Sequence, residues 1–296
     1  MSTTIEKSKG SYFTRKLREV SEKNNSLLCV GLDPVLTELP THLQNGYKNA
    51  TVNSKIFEFN KKIIDETHDL VCAFKPNLAF YEAYGKDGWI ALKNTCDHIR
   101  QYGIPVILDG KRGDIGNTAR MYAQALLEFL QADAVTVNPY YGWDCISEFL
   151  NVKNKFVFVL CLSSNDGAKD FQTIQLQDGM PLYEKVALKV KDWNDEYSNL
   201  GLVVGAMYTK QLQKIRSIAS DMPLLIPGVG KQGGFIEDTV IYGTDEEGEF
   251  AIINSSRDVI YASKDKDFDE KAREKALSLR DSINTARKNK KKLSSS

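Results

Sequence analysis

Ile104–Asp114 reads IPVILDGKRGD, and the change of character halfway along it decides the fold. Ile104–Leu108 is a nearly continuous apolar run, which suits a strand buried on both faces. Asp109, Lys111, Arg112 and Asp114 follow at once. Charges at the end of a buried strand are costly unless they are paired, so they belong to a polar site at that end. Seven other runs share the apolar character: Leu27–Leu32, Leu70–Phe74, Ala134–Val137, Phe156–Leu162, Leu202–Ala206, Pro223–Ile226 and Phe250–Ile253. Helical periodicity fills most of the gaps, at Ser54–Asp69, Trp89–Tyr102, Thr118–Leu130, Tyr183–Tyr197 and Thr209–Ser220. Strict alternation of strand and helix implies a parallel sheet with right-handed crossovers. Eight such units predict an α/β chain folded as a closed (β/α)8 TIM barrel. The rival is an open doubly wound sheet. It is weakened because the first strand runs into Gly31-Leu32-Asp33-Pro34 rather than a GxGxxG turn.

Composition narrows the function classes. The 296 residues carry 39 Lys+Arg against 39 Asp+Glu, a net charge of zero, which argues against a dedicated nucleic-acid binder. With 42% hydrophobic and 26% charged residues, the chain has the make-up of a globular protein. No apolar run approaches the ~18–20 residues of a membrane span, and Met1–Gly10 lacks the apolar stretch of a signal peptide. A cytoplasmic location is expected. Residues 1–296 are read as one domain, with the barrel core at about 27–262. Ser11–Lys23 should cap the barrel floor, Lys266–Arg287 should form a charged helix, and residues 1–10 and 288–296 should be flexible ends. The five Cys are widely spaced and the three His have no neighbouring ligand, so a protein-built metal site is not expected.

In such barrels the chemistry sits at the C-terminal ends of strands. Those ends hold Asp33, then Lys75-Pro76-Asn77, then Asp109–Asp114. The seventh ends in Pro227-Gly228-Val229-Gly230-Lys231-Gln232-Gly233-Gly234 and the eighth in Asn254-Ser255-Ser256-Arg257. Asp109 and Lys111 are two apart and point the same way on an extended segment, whereas Asp114 lies beyond, in the turn. The glycines around Gln232, with Arg257 on the next strand, suit a phosphate. A plain salt-bridge network at the barrel mouth is the structural alternative. On residues alone the reading stops at a phosphate-binding barrel enzyme with a Lys/Asp site.

The run Asp109–Ile115, DGKRGDI, resembles the DxKxxDI signature of orotidine 5′-phosphate decarboxylases. The likeness extends to Gly31-Leu32-Asp33-Pro34, Phe74-Lys75-Pro76-Asn77, Pro227–Gly230 with Gln232-Gly233-Gly234, and Ser256-Arg257, and covers roughly Leu27 to Ala262. FKPN and DGKRGDIGNTA are most similar to the longer bacterial and protozoan form. What the resemblance implies is loss of carbon dioxide from orotidine 5′-phosphate to give uridine 5′-phosphate, the last step of de novo UMP synthesis, without a cofactor. Lys111 would give the proton to ring carbon 6. Lys75, Asp109, Lys111 and Asp114 would form a charged tetrad, the last Asp coming from the other subunit of a homodimer. Asp33, Lys75, Asp114 and Thr118 would hold the ribose, and Asn77 the ribose or base. Ser164 and Pro227 would meet the pyrimidine, with Ser256 also in the substrate-binding set. Gln232, on a loop suited to act as a lid, would bind the phosphate with Arg257. Asp166–Pro181 is the stretch hardest to align, and no fused phosphoribosyltransferase is expected. DxKxxD also occurs in a magnesium-dependent sugar-phosphate decarboxylase family of the same barrel type. That activity, an aldolase, and a nucleotide-binding barrel without turnover are the alternatives.

Overall fold

The computed structural model describes residues 10–45, 50–229 and 235–294. Its strands are β1 Leu28–Leu32, β2 Ala73–Pro76, β3 Ile107–Arg112, β4 Ala134–Val137, β5 Phe156–Leu162, β6 Leu200–Val204, β7 Leu224–Pro227 and β8 Ala251–Ser255. Helix α1, Tyr12–Lys23, precedes them. One principal helix follows each strand in turn: α2 Val52–Thr67, α3 Gly85–Gln101, α4 Gly116–Ala123, α5 Trp143–Leu150, α6 Leu182–Tyr197, α7 Thr209–Ile218, α8 Ile236–Gly243 and α9 Phe268–Ser294. Neighbouring strands pair in parallel, in the order β2-β1-β8-β7-β6-β5-β4-β3. Parallel bridges Phe74–Val106 and Asn77–Asp109 join the two ends of that order. The expected eight-stranded barrel is therefore present, and the open sheet is not.

Side-chain alternation splits the core in two. Cys29, Ala73, Ile107, Ala134, Phe156, Val203, Leu225 and Ile252, one from each strand, pack together inside the barrel. The larger cluster lies between strands and helices. Helix α1 closes the floor as expected. Ser11 caps its first turn by accepting from the Thr14 amide at 3.2 Å. Phe13, fully buried, stacks on Phe156 with ring centroids 4.7 Å apart and meets Phe158 edge-on. Burying one such ring is worth roughly 1.5–3 kcal/mol.

Two differences from the sequence reading have physical causes. The basic run Lys288–Lys292, expected as a loose end, continues α9 as far as Ser294. Lys290 finds acceptors there, donating to the Thr244 carbonyl, the Thr244 hydroxyl and the Asp245 carbonyl at 2.8–2.9 Å. Residues 1–9 and 295–296, also expected as flexible, lie outside the described residues. Strands β2 and β3 start later and run further than their apolar stretches, through Lys75 and through Asp109–Arg112. Polar residues continue these strands because their charges meet partners at the barrel mouth. Among the described residues, no helix is long and apolar enough to cross a membrane.

Candidate active site

Two-residue alternation carries the interior layer up to the mouth. Counting on by two from Cys29 gives Gly31 and Asp33. From Ala73 come Lys75 and Asn77, from Ile107 come Asp109 and Lys111, from Ala134 comes Thr136, from Leu225 comes Pro227, and from Ile252 come Asn254 and Ser256. The inward side changes from apolar to polar within one step. A cavity of about 340 Å³ opens there, with Asp33, Lys75, Asn77, Asp109, Pro227, Asn254, Ser255, Ser256 and Arg257 in its walls. That volume suits a small molecule. Size alone does not mark the site, because a cavity of about 690 Å³ between Tyr140, Leu160, Phe171 and Tyr183 is larger but mainly apolar.

Asp109 is the hub. Its Oδ2 accepts from Lys75 Nζ at 3.0 Å, and its Oδ1 from Lys111 Nζ at 2.7 Å and the Thr136 hydroxyl at 2.8 Å. Burial works against the Asp109 charge, but the two ammonium groups outweigh it and hold the carboxyl well below the usual carboxylate range. Burial likewise opposes the charge on Lys75, which is 3% exposed, and Asp109 and Asp33 overcome it and raise its pKa. Lys111 is different in kind: its side chain is 40% exposed, at the open edge of the cluster.

Neighbouring residues shape the rest. Asp33 is held at the end of β1 by Tyr261, whose hydroxyl donates to the Asp33 carbonyl at 3.2 Å and accepts from the Val35 amide at 2.7 Å. Gly31 lets β8 come close, since a Cβ there would sit 1.9 Å from the Ser256 hydroxyl oxygen. Asp33 Oδ1, Asn254 Oδ1 and Ser255 Oγ are buried and without a hydrogen-bond partner among the described residues. Buried polar atoms are usually satisfied, so three such atoms around one cavity mark it as a place for a polar ligand.

The structure thus brings together Asp33, Lys75, Asn77, Asp109, Lys111, Pro227, Ser256 and Arg257. Asp114 forms no ion pair with Lys75 or Lys111 among the described residues; its Oδ1 accepts from the Ile115 amide at 2.8 Å. Thr118 is exposed on α4. Ser164 packs against Gly205 and is not among the residues lining the cavity. Gln232 lies outside the described residues. Asp166–Pro181 flanks the apolar cavity through Phe171 and Gln172, and Gln172 Oε1 accepts from the Ser163 amide at 2.7 Å. Thr136 carries no mark in the sequence, and Asn254 and Ser255 stand out there only as part of the eighth strand's end, without a role of their own. The alternation that places Lys111 would have found the first two.

The comparisons agree with this geometry. Residues 26–272 match the model of the orotidine 5′-phosphate decarboxylase / HUMPS family. An orotidine 5′-phosphate decarboxylase of Cellvibrio japonicus is 47% identical over 277 residues, 93% of this chain and 99% of that protein. The structure of a Leishmania donovani OMP decarboxylase is 36% identical, with a TM-score of 0.80 over 94% of this chain and 99% of that one. A Leishmania donovani UMP synthase structure is 37% identical, with a TM-score of 0.81 over 93% of this chain. The present chain spans 56% of the length of that one. With the fold, the strand-end charges and most of the chain's length in accord, this chain belongs to the orotidine 5′-phosphate decarboxylase / HUMPS family.

Proposed function

We propose that this barrel, as one domain, decarboxylates orotidine 5′-phosphate to uridine 5′-phosphate, the last step of de novo UMP synthesis. The observation that carries the reading is the Lys75–Asp109–Lys111 array, with Asp109 bridging a buried and an open ammonium group. In the reaction the bond from ring carbon 6 to the carboxylate breaks and carbon dioxide leaves. The electron pair stays on carbon 6 and takes a proton from the Lys111 ammonium, which solvent later restores. A compact ammonium on a flexible stem suits both tasks, stabilising the developing carbanion and delivering the proton. Asp109 aims Lys111 through the 2.7 Å ion pair. A charge contact at ~4 Å and an effective dielectric of ~20 is worth about 4 kcal/mol, whereas enzymes lower barriers by about 8–23 kcal/mol. Binding of the remote ribose and phosphate must supply the remainder.

The proposed binding roles follow the cavity. Asp33 and Asn77 hold the ribose side, Pro227 lies against the base, and Ser256 and Arg257 face the phosphate with Gln232. Ser164 and Thr118 are not among the residues lining the cavity, and their proposed roles at the pyrimidine and the ribose are kept for the substrate-bound enzyme. Asp114 is proposed to reach the site of a second subunit in a homodimer. In support, Ile115, Met121, Tyr140, Tyr141, Phe171 and Ile174 leave large apolar side chains exposed after β3, β4 and β5. Five free thiols suit a cytoplasmic enzyme.

A magnesium-dependent activity on a sugar phosphate is the rival, and the lysines speak against it. Both oxygens of Asp109 are already engaged by ammonium and hydroxyl donors. The test is loss of orotidine 5′-phosphate absorbance in the presence of a metal chelator, with uridine 5′-phosphate identified as product. Turnover undiminished by chelator is expected. No turnover, or turnover restored only by magnesium, would overturn the reading.

A further inference from the structure

We propose that Thr136 is a positioning residue whose hydroxyl locks the kink in β3 that aims Lys111 at Asp109. The inference rests on the reading of Lys111 as proton donor. Strand β3 loses its register with β4 between Leu108 and Arg112. Within that irregularity Lys111 adopts φ +45°, a left-handed conformation that costs any residue with a Cβ energy and must be held by its surroundings. The amides of Gly110 and Lys111 both donate to Thr136 Oγ1, at 3.1 and 2.9 Å. A regular parallel ladder does not bring two successive amides onto one atom.

A hydroxyl has one proton to donate and two lone pairs to accept with. The two amides take the lone pairs, so the proton goes to Asp109 Oδ1, 2.8 Å away. Lys111 Nζ meets the same carboxylate oxygen at 2.7 Å. One side chain, 1% exposed on the neighbouring strand, therefore fixes both the backbone of the lysine and the carboxylate that receives it. Without the hydroxyl, two amides lose their acceptor. The left-handed backbone of Lys111 and the irregularity between Leu108 and Arg112 then lose their anchor, so the direction in which the lysine leaves the strand is no longer fixed.

The test uses the full chain. Thr136→Val keeps the branched shape and removes only the hydroxyl. Turnover should fall roughly 10- to 100-fold, as for a misplaced reacting group. The KM for orotidine 5′-phosphate and the affinity for uridine 5′-phosphate should stay within about threefold, which marks an effect confined to the transition state. Thr136→Ser, which restores the hydroxyl, should return turnover to within about fivefold of wild type. If Thr136→Val does not fold, Thr136→Ser against Thr136→Ala isolates the hydroxyl, and the serine variant must be the faster. In a Lys111→Ala background, Thr136→Val should cost no further turnover. Near-normal turnover in Thr136→Val, a loss expressed in affinity alone, or equal serine and alanine variants would overturn the inference while Lys111→Ala remains inactive. An active Lys111→Ala enzyme would overturn the proton-donor reading, and this inference with it.

Discussion

The two ends of the barrel both bury charge, and they treat it in opposite ways. At the floor, the guanidinium of Arg216 is 8% exposed and donates to the carbonyls of Gly243, Ala219, Ser220, Met222 and Phe250 at 2.7–3.4 Å. Asp133, at the same end of the barrel just before β4, is answered by Lys16 at 2.8 Å and the Val106 amide at 2.8 Å. Both of these charged groups have their partners within the protein. At the mouth, Asp109 and Lys75 are as well paired, but Asp33, Asn254 and Ser255 each keep a buried polar atom with no partner among the described residues. Burial of charge is common to both ends and identifies neither. Three unanswered atoms gathered around one cavity mark the mouth as the end that expects a ligand.

The largest effect that would sharpen this contrast is at the mouth. Lys111→Ala should lower turnover by about 10²–10⁴, the range of a lost general acid. Its half-exposed side chain predicts that the melting temperature hardly moves. Steady-state kinetics with a thermal melt checks both, and turnover above a tenth of wild type would remove Lys111 from the proton-donor role. Arg216→Met at the floor should do the reverse. It leaves buried carbonyls without a donor, at about 1–3 kcal/mol for each that water cannot reach. Unfolding stability should drop by about 3 kcal/mol or more, while turnover per folded molecule is preserved. A variant of normal stability, measured by denaturant unfolding, would show that the floor carbonyls re-pair and would break the comparison.

Arg257 separates binding from chemistry at the mouth. It stands exposed at the start of a short helical turn, in the cavity wall. Arg257→Ala should weaken uridine 5′-phosphate binding about 10- to 100-fold, the cost of lost charged hydrogen bonds. Binding of uridine itself, which lacks the phosphate, should be unchanged. Titration calorimetry with both ligands decides; equal losses would place Arg257 away from the phosphate.

Much of this was legible in the residues, for a definite reason. Runs such as Phe156–Leu162 and Ala134–Val137 can only be strands buried on both faces, and the structure places them at those residues. The ends of β2 and β3 were less legible, because Lys75 and Asp109–Arg112 look like loop residues until their partners across the mouth are known. Thr136, and the inward direction of Asn254, are hidden for a related reason. Each sits inside or just beyond an apolar run, and only the count of two from Ala134 and Ile252 shows that it faces the cavity. The kink that gives Lys111 its left-handed backbone has no mark in the local sequence, since its cause, Thr136, lies 25 residues away.

The smallest effect bears on whether the mouth is complete in one chain. Asp109 and Lys111 meet within the subunit, whereas the carboxylate of Asp114, past Gly113, accepts from the neighbouring Ile115 amide. If each mouth borrows Asp114 from a partner, two-fold symmetry gives two composite sites per dimer. Lys111→Ala and Asp114→Ala homodimers should then each be nearly inactive. In a heterodimer of the two, one site carries both lesions and the other carries neither. Random one-to-one reassortment makes half of the dimers mixed, each with one intact site, so activity should return to about a quarter of wild type. Subunit exchange is followed independently, by native mass spectrometry of differently tagged chains. Exchange without any recovery would place Asp114 in its own subunit's site, and the mouth would then have to close by movement within one chain.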